Sequence, residues 1–168
     1  MCYNEFARGG ANKMKVMFSS KSNEWSTPQN LFEYLNNIYK FDLDPCATHD
    51  NAKCIKYFTI EDDDLIQDWE GHTVFCNPPY GRQIKDWVRK SYLESLKPNT
   101  KVVMLIPART DTRYWHEYIF KYASKILFIE GRLKFGDGKG SAPFPSAVVE
   151  FGGHDQEIKT LKKNEFNT

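Results

Sequence analysis

Val74-Phe75-Cys76-Asn77-Pro78-Pro79-Tyr80 decides the reading of this chain. The apolar run predicts the end of a buried strand, Thr73–Cys76, and the next residues cannot continue it. Two consecutive prolines fix φ at about −65° and remove two backbone donors. In an open α/β sheet, ligands bind beyond the carboxyl ends of the strands. The Asn77–Tyr80 loop is therefore an acceptor-rich wall at a predicted ligand edge. An asparagine oxygen and a neighbouring carbonyl can together take both hydrogens of a planar exocyclic amine, and a tyrosine ring offers a stacking face to the heterocycle that carries it.

Working outward, Thr27-Pro28 reads as a helix start, with the hydroxyl at the N-cap and proline at the first helical position. Leu31, Leu35, Ile38 and Tyr39 follow at helical spacing. A second helix is predicted from Gln83 to Leu96, with Ile84, Trp87, Val88 and Ser91 on one face, and a third from Arg113 to Tyr122. The other strand candidates are Phe41–Asp44, Ile55–Phe58, Val102–Ile106, Ile126–Ile129 and Ala147–Phe151. Strands alternating with helices predict a doubly wound α/β sheet, and Val102–Ile106, apolar on both faces, suits a central parallel strand. If the strands run parallel, the segments Asp44-Pro45, Asn77–Tyr80, Pro107–Thr112 and Gly131–Lys134 all gather on one edge of the sheet.

Composition narrows the class. With 168 residues, 40% hydrophobic and 15% aromatic, the chain is expected to be one folded domain rather than a disordered one. The expected division is an N-terminal tail, mobile, over 1–22, a core domain over 23–151, and a polar C-terminal tail over 152–168. No run approaches the ~18 apolar residues of a membrane helix, and Met1 to Ser22 lacks the apolar core of a signal peptide, so no membrane association and a cytoplasmic location are expected. Cys2, Cys46, Cys54 and Cys76 show no Cys-x-x-Cys spacing. They read as reduced thiols and predict no metal site. The net charge of +1, from 23 basic and 22 acidic residues, gives no global attraction for nucleic acid, so any such binding needs a local patch. The acids concentrate at Glu61-Asp62-Asp63-Asp64, whereas Arg109, Arg113, Arg132, Lys134 and Lys139 fall in two later loops.

Several motifs then occur in a fixed order: Trp25-Ser26-Thr27-Pro28, Phe41-Asp42-Leu43-Asp44-Pro45-Cys46-Ala47, Asn77-Pro78-Pro79-Tyr80, Leu105-Ile106-Pro107-Ala108-Arg109-Thr110-Asp111-Thr112, Gly131-Arg132-Leu133-Lys134-Phe135 and Ala142-Pro143-Phe144-Pro145-Ser146. In this order the chain resembles the small bacteriophage-type DNA adenine-N6 methyltransferases from about Glu24 to Phe151. The resemblance implies a Rossmann-like methyltransferase fold, a mostly parallel sheet with an antiparallel last strand. It also implies transfer of a methyl group from S-adenosylmethionine to the N6 amino group of adenine in double-stranded DNA, inside a bacterial host cell. A stacked base cannot reach a buried cofactor, so the adenine must be flipped.

The resemblance places Asn77, Pro78, Pro79 and Tyr80 at the reacting amine, with Asn77 also beside the cofactor. Asp44, followed by Pro45 and Cys46, stands where the first cofactor loop is expected, its carboxylate taking the cofactor's amino group. Trp25, Thr27 and Pro28 lead into a helix N-terminus that suits the cofactor's carboxylate, with Trp25 as a cover. Asp64, an acid beside an apolar residue, is assigned to the cofactor's adenine. Arg109, Thr110, Asp111, Arg132 and Lys134 are the expected DNA contacts, and Phe144-Pro145 a wedge against the extruded base. The Asp44 loop departs from the wider superfamily: it lacks Gly-x-Gly, and its short distance to the next strand leaves little room for the usual helix. Cytosine N4, an RNA amine or a protein glutamine amide remain alternative acceptors, and an inert DNA-binding protein on the same fold is a rival of another class. The sequence specifies neither the target site nor the oligomeric state.

Overall fold

In the computed structural model, which describes residues 25–63, 65–136 and 140–167, seven strands form one sheet. They are β1 (Leu43–Asp44), β2 (Lys56–Tyr57), β3 (Thr73–Cys76), β4 (Lys101–Pro107), β5 (Lys125–Ile129), β6 (Ser146–Phe151) and β7 (Glu157–Leu161). Their order is β2-β1-β3-β4-β6-β5-β7. Every neighbouring pair is parallel except those made by β6, which lies antiparallel between β4 and β5. β1, β3, β4 and β5 consequently point the same way. Their C-terminal loops share one edge, as expected of the four motif segments, in a Rossmann-like α/β sheet.

Alternation along β3 fixes the layers, because successive side chains face opposite sides of a sheet. Phe75 meets Phe32 of helix α1 (Gln29–Tyr39) edge to face at 5.1 Å, and Leu31 and Leu35 of the same helix are fully buried. Cys76 faces the other way, toward Ser91 of helix α2 (Ile84–Ser95). Ile84, Trp87, Val88 and Ser91 of α2 are buried as the sequence predicts. The third helix runs over 113–122, with a π-helical centre at Trp115–Ile119 and its end, α3, at Phe120–Tyr122. It shares the α2 layer, Tyr92 stacking on Tyr122 at 4.4 Å. β4 is buried from Val102 to Pro107, the pattern of a central strand covered on both faces.

Four expectations are corrected. The antiparallel strand β6 is not the last, because Gly152 turns the chain back and β7 adds in parallel to β5. The expected tail over 152–168 is, in its described residues 152–167, no tail: Leu161 and Phe166 are buried, while the exposed Lys159 and Thr160 of this edge strand explain its polar look. Thr27 does not cap α1, whose first turn carries no side-chain cap at Pro28. Ile38 is 57% exposed and does not join the buried stripe, which Phe32 completes instead. Between β1 and β2 there is no helix among the described residues, as the short spacing anticipates. The expected N-terminal tail over 1–22 lies outside the described residues.

Candidate active site

Because Cys76 faces α2, the next residue, Asn77, turns to the opposite face, where the chain enters α1. Its amide nitrogen donates to the Trp25 carbonyl at 2.6 Å and to the Thr27 hydroxyl at 2.9 Å. A carbonyl can only accept, so this pair fixes which end of the amide is nitrogen. It also explains the idle cap, because the Thr27 hydroxyl serves Asn77 rather than the helix. The Asn77 oxygen is buried and has no hydrogen-bond partner among the described residues. An orphaned acceptor of this kind costs roughly 1–3 kcal/mol, and in a native fold such a group needs an explanation. Next to it, the Pro79 carbonyl takes the Gly81 amide at 3.1 Å, while no described amide donates to the Pro78 carbonyl. Two acceptors, Asn77 Oδ1 and Pro78 O, are thus left without a donor among the described residues.

These groups border a cavity of about 450 Å³ that opens at the strand ends, within the ~300–1,000 Å³ typical of small-molecule sites. Trp25, Thr27, Asp44, Cys46, Asn77, Pro78 and Pro79 all line it. Asp44 is 4% exposed, and its two oxygens accept the backbone amides of Cys46 at 3.2 Å and Lys53 at 3.0 Å. Burial raises its carboxyl above the ordinary aspartate range, and the two amides pull the other way. A buried carboxylate so braced is suited to a cationic group of a ligand. Pro28 and Pro45 do not line the cavity; they shape the turns on either side. Asp64 lies outside the described residues, but Glu61 and Asp63 on the same loop face the cavity.

Sequence reasoning missed much of that wall, including Thr48, His49, Asn51 and Lys53, from the long β1–β2 loop, and Thr59 and Ile60 beyond it. The signal available was the gap itself. Residues that replace a missing helix must supply contacts the helix would have made. His49 is held by the Tyr57 hydroxyl at 2.9 Å, and Thr59 by reciprocal bonds with Asp62 and Glu61.

Tyr80 departs most from its expected role. Its hydroxyl donates to the Leu105 carbonyl at 3.0 Å, and burial pushes it well above the ordinary tyrosine range, so it stays a neutral donor. Its ring stands edge to face with Phe135 at 6.1 Å and Phe144 at 5.5 Å, and Trp25 caps both phenylalanines. The structure therefore offers no open stacking face on Tyr80. Phe144 is likewise a buried member of this cluster rather than a projecting wedge, since burying a ring of that size is worth about 1.5–3 kcal/mol. Pro145 accepts the Ala108 amide at 2.8 Å, which joins the segment 140–145 to the Arg109 loop. Arg109 lies over the Phe144 ring at 5.9 Å. Arg109, Thr110, Arg132 and Lys134 are exposed at this rim, with Asp111 beside them.

The model of the DNA N-6-adenine-methyltransferase (Dam) family matches residues 15–150. A protein of Haemophilus phage HP1 described as a DNA N-6-adenine-methyltransferase is 33% identical over 114 residues, 66% of this chain and 65% of that protein. One of Escherichia phage T1 with the same description is 35% identical over 111 residues, 65% of this chain and 45% of it. The chain therefore spans less than two thirds of the length of these relatives. The crystal structure of a predicted O-methyltransferase from Agrobacterium tumefaciens overlays with a TM-score of 0.35 at 15% identity, covering 81% of this chain and 63% of that one. The fold assignment rests on the strand order rather than on that overlay.

Proposed function

The chain belongs to the DNA N-6-adenine-methyltransferase (Dam) family, and from that premise we propose that it transfers a methyl group from S-adenosylmethionine to the N6 amino group of adenine in DNA. The observation that carries the proposal is the Asn77 amide: its nitrogen is tied to Trp25 and Thr27, and its oxygen is buried without a partner among the described residues. An exocyclic amine brings the two hydrogens that Asn77 Oδ1 and Pro78 O lack. An adenine amine is a weak nucleophile because its lone pair is delocalised into the ring. Two fixed acceptors favour the more tetrahedral nitrogen and stabilise the positive charge that develops on it.

The cavity's donor set fits the cofactor. Asp44 would take its ammonium group, the segment 25–27 would lie along its amino-acid end, and Glu61 or Asp63 would reach its ribose hydroxyls. When bound, the cofactor supplies an electrophilic methyl group on a sulfonium. The protein's part is to hold that group and the amine in line. A flipped adenine reaches Tyr80 only by taking the place of Phe144 or Phe135, so insertion of the base and displacement of one of these two rings go together in this reading.

The test is nucleoside analysis of DNA from cells expressing the chain, compared with cells lacking it. The expected result is N6-methyladenine in DNA with unmodified cytosine and RNA. N4-methylcytosine, or methylation confined to RNA or protein, would replace the substrate. No methylated product, together with DNA binding that ignores S-adenosylmethionine, would leave the inert scaffold.

A further inference from the structure

Building on the methyltransferase reading, we propose that the outward face of α2 is a phosphate-binding surface on which Arg82, Lys85 and Arg89 hold the DNA backbone beside the target base. The buried face of α2 is set by Ile84, Trp87, Val88 and Ser91. At 100° per residue, Lys85 and Arg89 fall on the opposite side, Arg82 lies just ahead of the helix, and all three are exposed. Lys85 and Arg89 lie one helical turn apart, about 6 Å of axis, and Arg82 sits in the turn that leads into them. Phosphates along one strand of duplex recur about every 3.4 Å of its axis, so the three side chains can meet separate phosphates.

Their positive charge is not offset within the fold. Five lysines of the molecule are paired with acids: Lys90 and Lys97 with Glu94, Lys101 and Lys125 with Glu150, and Lys159 with Glu157. Among the described residues no carboxylate is in ion-pair contact with Arg82, Lys85 or Arg89, and Asp86 is the one acid exposed on the helix beside them. Topology puts them in the right place. α2 starts from the C-terminal end of β3, the edge that carries the cavity, and β3 is paired with β4, whose C-terminal loop holds Arg109. The opposite flank, at β2, carries the exposed Glu61, Asp62 and Asp63, which repel phosphate. A chain of net charge +1 thus presents a basic and an acidic side to anything lying across its site, and the duplex is directed onto the α2 side.

The experiment uses the full chain and measures duplex-DNA affinity across a salt series, alongside methylation kinetics and calorimetric S-adenosylmethionine binding. In Arg82→Ala/Lys85→Ala/Arg89→Ala the slope of log affinity against log salt should flatten by about 0.9 for each phosphate no longer neutralised, up to about 2.7. KM for DNA should rise, with cofactor affinity and kcat at saturating DNA unchanged. Arg82→Lys/Arg89→Lys should keep the wild-type slope, and so should Lys121→Ala/Lys159→Ala, which removes charge away from this edge. A wild-type slope in the triple variant, with DNA methylation intact, would overturn the α2 surface and leave the methyltransferase reading standing. Failure of the wild-type chain to methylate DNA would instead remove the premise.

Discussion

Asn77 is one side chain with two ends that do different work, and each end can be tested apart from the other. Thr27→Val keeps the shape but deletes one of the two acceptors that hold the amide nitrogen. With the Trp25 carbonyl still in place, about 1 kcal/mol of orientation is lost, so kcat should fall roughly 5–10-fold. DNA affinity should not move, and turnover equal to wild type would show that the Thr27 bond does not position Asn77. Asp44 supplies a pH signature. Burial raises its carboxyl in the empty site, whereas a bound ammonium favours the ionised form and brings it down. Between those two values binding releases a proton, so cofactor affinity should rise with pH through the acidic range and level off above the empty-site value. The window closes at about pH 8, where the ligand's own amino group begins to lose its charge. Calorimetry across this range should give that curve for wild type and a weak, flat response for Asp44→Ala. A flat wild-type curve would place the ammonium elsewhere.

At the scale of elements, β7 is where the sequence and the structure part company. Leu161→Ala empties a fully packed position at the sheet edge and should cost about 2–5 kcal/mol in urea unfolding. A true tail residue would cost almost nothing. Gly152, which turns β6 into β7, has φ 97°, and a Cβ there would meet the Thr100 carbonyl oxygen at 2.6 Å. Gly152→Ala should therefore destabilise by about 2 kcal/mol or more, and an unchanged denaturation midpoint would contradict this turn geometry. The contrast with the other strands is physical. β3 and β4 are buried on both faces and read as continuous apolar runs. β7 buries one end and exposes three residues in the middle, so it carries no period-2 signal. Ile38 fails for a related reason. Helical spacing says which residues share a face, while the extent of the buried stripe depends on what packs against it, and it ends before Ile38.

Across the whole molecule, the gathering of four loops on one sheet edge was legible because it follows from parallel strands alone. Asp44, Cys46, Asn77 and Pro78 could be placed in one cavity on that ground. The orphaned Asn77 oxygen and the covered Tyr80 could not, since both depend on contacts 50 or more residues apart in sequence, with Trp25, Thr27, Phe135 and Phe144. The same long-range closure brings the segment 131–136 beside the candidate site. It is joined to residues 25–27 by the Gly136 amide on the Ser26 carbonyl at 3.1 Å as well as by the Phe135 ring. The central claim is that the Asn77 oxygen receives the amine that becomes methylated. The most direct measurement is N6-methyladenine formation on duplex DNA by purified wild-type chain and by Asn77→Ala, with S-adenosylmethionine affinity and thermal unfolding recorded on both. The expected result is a loss of about 100-fold or more in turnover from a variant that remains folded and still binds the cofactor. Near-normal turnover by folded Asn77→Ala would contradict it.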